Sequence, residues 1–190
     1  MRSMLLLLPV LFLLAGCGVQ SIPTALNETE ASWAEVQNQY KRRADLVPNL
    51  VATVKGYAAH EKETLEGVME ARAKATQITV DPNNLTPEKL KEFQSAQSGL
   101  SQALGRLMMV AEKYPDLKAA ENFRGLQAQL EGTENRIAVA RRRYIDTVKE
   151  FNNLVTVFPT SLTNSVFFKH EKKPQFEAEA AAQTAPTVQF

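Results

Sequence analysis

Few residues in this sequence have the type and spacing to do chemistry. The chain carries one cysteine, Cys17, and two histidines, His60 and His170. A lone cysteine excludes an intrachain disulfide and a thiolate metal cluster. His60 is followed by Glu61 and Glu63, a set of donors that invites a metal. Di-iron bundles, however, place Glu-x-x-His on each of two helices, and the residue three before His60 is Tyr57. His170 lies near the tail, so neither a metal nor another cofactor is expected. Acyl transfer also lacks its parts. There is no Gly-x-Ser-x-Gly elbow, and no second histidine faces the first from a helical position. The scattered glycines build no phosphate loop. These gaps point away from an enzyme.

Cys17 finds its explanation in its position. Met1-Arg2-Ser3 is a short positive start, and the apolar run Met4 to Ala15 follows it. A run of about a dozen residues is too short for the roughly 20 needed to span a bilayer, and suits a signal-peptide core. It ends in Leu14-Ala15-Gly16-Cys17, which is similar to the lipobox of bacterial lipoproteins. On that likeness residues 1–16 are a signal peptide that is removed, and the Cys17 thiol takes diacylglycerol, with palmitate or a similar acyl chain added in maturation. Each acyl chain contributes about 0.8 kcal/mol per buried CH₂, and stable anchoring takes more than one. Gly18 stands where an aspartate would commonly signal inner-membrane retention. The expected location is therefore the cell envelope, at the periplasmic face of the outer membrane in a Gram-negative host.

Charge excludes another class of partner. The chain has 22 Lys and Arg against 21 Asp and Glu. Arg2 is the only charge before Cys17, so the processed chain is balanced. Without a net field to collect polyanions, nucleic-acid binding is not expected. At 190 residues, 44% hydrophobic and 23% charged, the composition is that of one ordinary globular domain with a tail.

The elements that must position any site read as helices. Residues 17–26 read as a lipidated tether. Asn27-Glu28-Thr29-Glu30 then has the form of a capping box. From there Trp33, Val36, Tyr40, Ala44, Val47, Leu50, Val51, Val54, Ala58, Leu65 and Val68 mark one face of a helix to about Ala75. Pro48 removes the backbone bond to the Ala44 carbonyl, at about 3 kcal/mol, so a kink is predicted there. Asp81-Pro82-Asn83-Asn84 is turn chemistry. Thr86-Pro87-Glu88 opens a second helix, whose stripe runs from Leu90 through Phe93, Gln97, Leu100, Leu104 and Leu107 to Ala111 and Tyr114. Pro115 stops it. A third helix carries Phe123, Leu126, Leu130, Thr133, Ile137, Ala140, Tyr144, Val148, Phe151 and Leu154 to about Phe158-Pro159. A short helix over Thr160 to Phe168 is expected to close the open end of the core with Leu162, Val166 and Phe167. Residues 171–190, rich in Ala, Glu and Gln, read as a disordered tail. No stretch alternates as a strand would. The fold class is all-α: an up-and-down antiparallel bundle over residues 27–170, of three long helices plus a short C-terminal one.

The run Arg42-Arg43-Ala44-Asp45-Leu46-Val47-Pro48-Asn49-Leu50-Val51, followed by Val54-Lys55-Gly56-Tyr57-Ala58-Ala59-His60-Glu61, resembles the LemA family. Glu121-Asn122-Phe123-Arg124-Gly125-Leu126-Gln127, Thr133-Glu134-Asn135-Arg136-Ile137 and Ala140-Arg141-Arg142-Arg143-Tyr144 extend the likeness over about residues 30 to 176. The resemblance implies a four-helix-bundle fold and an envelope location, and brings no established enzymatic activity. Two departures stand out. Family members are typically held by an uncleaved transmembrane helix, where this chain has its lipobox-like cysteine. They also often carry Tyr-Asn in place of Tyr144-Ile145.

The polar residues of these motifs are unusual on helices that must be buried. With three helices running up, down and up, the first and third are parallel and their midpoints fall near Leu50 and Ile137. That places Asp45 and Asn49 level with Glu134, Asn135 and Arg136. Arg42, Arg43, Asp45, Asn49, His60, Glu61, Glu134, Asn135 and Arg136 are therefore the candidate polar cluster beside Pro48, with one side chain satisfying the freed Ala44 carbonyl. Such a cluster serves either as a network that fixes helix register or as a ligand or partner site. Arg141-Arg142-Arg143 reads as a solvated face. The expected function is a non-enzymatic interaction or scaffold domain, held at a membrane through Cys17 and meeting an envelope protein. The alternative is a small-molecule or lipid-binding bundle with its site near Pro48.

Overall fold

The structure, a computed structural model, describes residues 2–176, with side chains from residue 19 onward except that of Asn83. The described residues contain no strand. Their elements in order are α1 (Arg2–Tyr57), α2 (Lys62–Gln77), a 3₁₀ turn (Pro82–Asn84), α3 (Pro87–Ala111), α4 (Pro115–Ala119), α5 (Glu121–Thr156), α6 (Thr160–Thr163) and a π-helical turn (Asn164–Phe168). The all-α bundle is as the periodicity predicts, with α1, α3 and α5 as its three long helices. Among the described residues no helix is long and apolar enough to cross a membrane.

The helix expected to reach Ala75 is in fact two. The chain leaves the α-helix after Tyr57 and re-enters it at Lys62, with Glu61 N–H donating to the Ala58 carbonyl at 3.1 Å across the turn. Apolar positions Ala58 and Leu65 are one heptad apart, a spacing that a continuous helix and a tight hairpin satisfy equally. Both residues are buried in the same cluster as Val47, Leu50, Leu104 and Leu107. The inserted hairpin adds one reversal, so α1, α2, α3 and α5 run up, down, up and down. Helices α1 and α5 are therefore antiparallel neighbours along most of their length, not parallel as three helices would make them. Helix α2 packs closely on α3.

Local signals explain the remaining joints. Thr86 caps α3, its hydroxyl accepting from Lys89 N–H at 3.3 Å, with Pro87 at the first helical position. Backbone N–H and the Thr86 hydroxyl hold the Glu88 carboxyl below the usual carboxylate range. Asn84 N–H closes the preceding turn onto the Asp81 carbonyl at 3.1 Å. Pro48 lies inside an uninterrupted α1. The Ala44 carbonyl that it leaves without a partner accepts instead from Arg72 Nε at 2.8 Å, the satisfaction from a side chain that the sequence calls for.

Both ends of the bundle differ from expectation. Residues 19–26, expected as a tether, continue α1, and Ile22 and Ala25 are buried against Phe151 and Val155. Asn27 is consequently no N-cap. Thr29 and Ser32 lie on the α1–α5 contact, where Ser32 Oγ and Thr147 Oγ1 share a hydrogen bond of 2.8 Å. At the other terminus Leu162, Val166 and Phe167 face outward, while Thr163 and Asn164 are buried. Residues 171–176, expected as the start of a disordered tail, instead form with 169 and 170 a strap laid back along α5. Lys173 N–H donates to Asn152 Oδ1 at 2.8 Å, and Phe176 is buried against Trp33 and Tyr144. The rest of the expected tail, residues 177–190, lies outside the described residues.

Candidate functional site

The polar centre of the bundle is built around Arg43. This α1 residue sits on the buried stripe beside Ala44 and Val47 and is only 2% exposed. An ionised side chain so deep must have its donors met, because an unpaired buried charge costs several kcal/mol. Four donors are met. Nη1 donates to Ser101 Oγ at 2.7 Å and to Glu134 Oε1 at 2.8 Å. Nη2 donates to the Gln97 carbonyl at 3.0 Å and to Gln97 Oε1 at 2.8 Å. Nε has no acceptor, and the guanidinium lies 5.0 Å from the centre of the Tyr40 ring. One side chain thereby ties α1 to both α3 and α5.

Gln97 completes the relay. Its amide Nε2 donates to the Ala75 carbonyl at 3.0 Å, close to the last turn of α2. All four bundle helices thus share one connected polar network: α2 through Ala75, α3 through Gln97 and Ser101, α1 through Arg43, and α5 through Glu134. Above it lies a groove of about 480 Å³ between α3 and α5. Gln94, Ser98, Gln102 and Arg141 line its sides, with Arg43 and Glu134 at its base. Burial raises the pKa of Tyr40 from its ordinary value, so its phenol stays neutral there. The amides and hydroxyls of its walls and the Arg141 guanidinium are groups that can donate hydrogen bonds to a carboxylate or carbonyl, while the Nη donors of Arg43 are already engaged within the protein. It contains no paired nucleophile and base.

The expected cluster is only partly assembled. Arg43 and Glu134 meet, at a 2.8 Å ion pair. Arg42, Asp45 and Asn49 are exposed, because they fall off the α1 stripe of Tyr40, Arg43, Ala44, Val47 and Leu50 that packs inside. Asp45 borders a separate cleft of about 280 Å³ with Gln37, Lys41 and Thr76. Asn135 and Arg136 are exposed, and Arg136 Nη2 donates to Thr133 Oγ1 at 2.9 Å. His60 and Glu61 lie at the α1–α2 turn, remote from Arg43, where Glu61 accepts from the Tyr114 hydroxyl at 3.2 Å. Among the described residues no group of three or more His, Cys, Asp or Glu is placed to hold a metal. The side chain of Cys17 lies outside the described residues.

Gln97 and Ser101 are the members that sequence reasoning missed as site residues. Gln97 carries a signal, a polar residue interrupting the α3 stripe between Phe93 and Leu100. Ser101 carries none. Arg141 departs from the solvated face: it covers the Phe176 ring at 4.7 Å, while Arg142 and Arg143 are exposed.

The described residues define an all-α helical bundle whose central arginine is held by side chains of two other helices. The chain belongs to the LemA family, which it matches over residues 32–190. It is 28% identical over 135 residues to Protein LemA of Metamycoplasma hominis, covering 71% of this chain and 58% of that protein. It is also 24% identical over 182 residues to Magnetosome protein MamQ 2 of Paramagnetospirillum magneticum, covering 87% of this chain and 66% of the relative. Magnetosome protein MamQ of Magnetospirillum gryphiswaldense is 24% identical over 153 residues, covering 72% and 56%. The chain thus spans somewhat under two thirds of the length of these curated relatives.

Proposed function

We propose that this chain is a cell-envelope lipoprotein whose LemA-family bundle serves as a non-enzymatic interaction or scaffold domain, held at a membrane by lipid on Cys17. The observation that carries the reading is the coincidence of a dozen-residue apolar run, the small residues Ala15 and Gly16, and the sole cysteine directly after them. The self-sufficient core supports it, since nothing in the fold calls for a ligand to hold it together. The partner is an envelope protein, and the anchor faces the periplasm from the outer membrane of a Gram-negative host.

The test is metabolic labelling with tritiated palmitate in a bacterial host, followed by membrane fractionation. The chain should take up label and pellet with membranes. The Cys17→Ala variant should take up none and retain its first sixteen residues by mass. A wild-type chain that incorporates no label overturns the lipoprotein reading. Cross-linking in cells with mass spectrometry then tests the scaffold role, and recovery of no reproducible protein partner counts against it.

A second reading, a small-molecule binder, is favoured by one observation: the α3–α5 groove is roomy and lined with unapolar donors over a buried guanidinium. Pockets of about 300–1,000 Å³ are the usual size for small ligands. Retention of a reproducible small molecule by the purified chain, lost on Gln94→Ala with Gln102→Ala, would carry that reading over the scaffold.

A further inference from the structure

The expected lid of the core is turned inside out. Leu162, Val166 and Phe167 were the apolar residues available to close the bundle, yet they are 61%, 61% and 67% exposed. The polar residues between them are the ones inside. Asn164 Nδ2 donates to the Val155 carbonyl at 3.3 Å and to the His170 carbonyl at 3.0 Å, and its Oδ1 accepts from His170 N–H at 3.0 Å. The turn is pinned from within by hydrogen bonds, so its apolar side chains are held outward by structure and not by slack. Val157 and Phe158, just before it, are exposed as well.

Exposed single apolar residues need no explanation, but a contiguous patch does. Elsewhere among the described residues, Tyr57, Met69, Met109 and Val139 are scattered along the bundle. Val157, Phe158, Leu162, Val166 and Phe167 lie within eleven consecutive positions at one end. That end is where α1 enters: Ile22 and Ala25 share a buried cluster with Phe151 and Val155, against which Phe168 packs. Val19, one turn earlier on α1, is a further exposed apolar residue there. The apolar run Met4–Ala15 and Cys17 join the bundle directly upstream of it.

We infer that the α5–α6 end of the bundle is a second membrane contact: Phe158, Leu162, Val166 and Phe167 insert at the headgroup–acyl boundary of the bilayer that the N-terminal segment reaches. The inference rests on the membrane-held reading above for the source of the bilayer. Its chemistry is that of an interfacial anchor. Apolar side chains supply the affinity, and a bundle so seated stands with its long axis away from the membrane. Lys149, Lys169 and Lys172 adjoin the patch but are matched by Asp146, Glu150 and Glu171, so the contact is governed by apolar burial and should be little affected by salt.

The experiment uses the full chain carrying Phe167→Trp or, separately, Val139→Trp. Val139 is exposed on α5, about 26 Å from its C-terminal end at 1.5 Å per residue. Each variant is reconstituted into phosphatidylcholine–phosphatidylglycerol vesicles with bromine on the acyl chains, floated, and compared with unbrominated vesicles. Buried Trp33 contributes the same background to both. We expect loss of emission for Phe167→Trp, none for Val139→Trp, and no reversal in high salt. Floated chain with unquenched Phe167→Trp overturns the inference and leaves the anchor standing. Equal quenching of both variants overturns it too, since the bundle then lies flat. A chain that does not float overturns it together with the anchor. A detergent-solubilised mass of two chains, returned to one by Phe158→Ser with Phe167→Ser, overturns it in favour of a second copy on the patch. Quenching of Phe167→Trp in a chain without lipid on Cys17 upholds the patch and removes the anchor.

Discussion

Replacing Arg43 by leucine tests whether the central network is a structural clamp. In the folded chain the change leaves the buried Gln97 Oε1 without the donor that now sits 2.8 Å away. A buried acceptor left unpaired costs about 1–3 kcal/mol. The contact of the guanidinium with Tyr40 contributes about 0.5–2 kcal/mol more. Glu134 is 42% exposed and recovers water once its partner is gone, so little is added on the α5 side. Removing the desolvated charge returns part of the total. The expected net loss is about 2–4 kcal/mol, or about 5–15 °C in Tm for a domain of this size. Urea denaturation followed by helical circular dichroism reads it directly. Gln97→Leu should be at least as costly, because it strands the charged Nη2. In the double variant neither group is left without the other, and the two losses should fall short of adding by about 1–3 kcal/mol. Asp45→Ala and Arg42→Ala, both at exposed positions, should stay within about 0.5 kcal/mol. An Arg43→Leu loss below about 1 kcal/mol, or simple additivity with Gln97→Leu, refutes the clamp and moves Arg43 toward a role in binding.

Three further perturbations follow from the geometry. Arg72→Leu strips the Ala44 carbonyl of its donor and should cost about 1–2 kcal/mol, but much less when Pro48→Ala restores the backbone N–H; equal costs in the two backgrounds, read by denaturation, would disprove the compensation. Phe176→Ala should release the 169–176 strap as a local event, raising acrylamide quenching of Trp33 and opening the strap to proteolysis with little change in the global transition; unchanged quenching would show that Phe176 does not cover Trp33. Burial raises the pKa of both Tyr40 and Tyr144 above the ordinary value of 10.0, so the neutral phenols contribute stability that is complete below pH 10 and lost as pH rises above it. Burial lowers the pKa of Lys173 from its ordinary 10.5, which acts in the opposite direction just below that pH but on one group against two. Thermal melts at rising alkaline pH should show the loss, with a smaller decline in Tyr144→Phe; a flat profile would contradict it.

The helical class, the three long helices and nearly all of the core were legible because heptad spacing reports burial directly. Trp33, Val36, Tyr40, Ala44, Val47 and Leu50 are all buried on one face of α1, as their spacing requires. The Ala44 carbonyl was legible too, because a proline inside a helix states which acceptor it orphans. The reversal after Tyr57 was not. Nothing in Ala58-Ala59-His60-Glu61 is a strong stop, and the stripe keeps its phase across the gap. That single missed turn inverted the direction of α5 relative to α1, while Asp45 and Asn49 failed for a separate reason, lying off the buried stripe of α1. Arg43 survived the error because it lies on the buried α1 stripe, and Glu134 because it borders the buried stripe of α5 and reaches inward from it. The strap was missed for a different reason. It is held by the buried Phe176 ring and by hydrogen bonds to the backbone of His170, Lys173 and Pro174, and composition does not register such features.

Helix α1 also works as a spacer of fixed length. From Val19 to Tyr57 it is unbroken, and at 1.5 Å per residue it measures about 57 Å. Arg72 mends the one weak joint, at Pro48, so the rod resists bending where its sequence alone would allow it. The α1–α2 turn with His60 and Glu61 is therefore presented at a set standoff from the end where the N-terminal segment joins. Whatever meets that tip has to stand at that height, and removing one heptad from both α1 and α5 would lower it by about 10 Å without disturbing the register of either stripe.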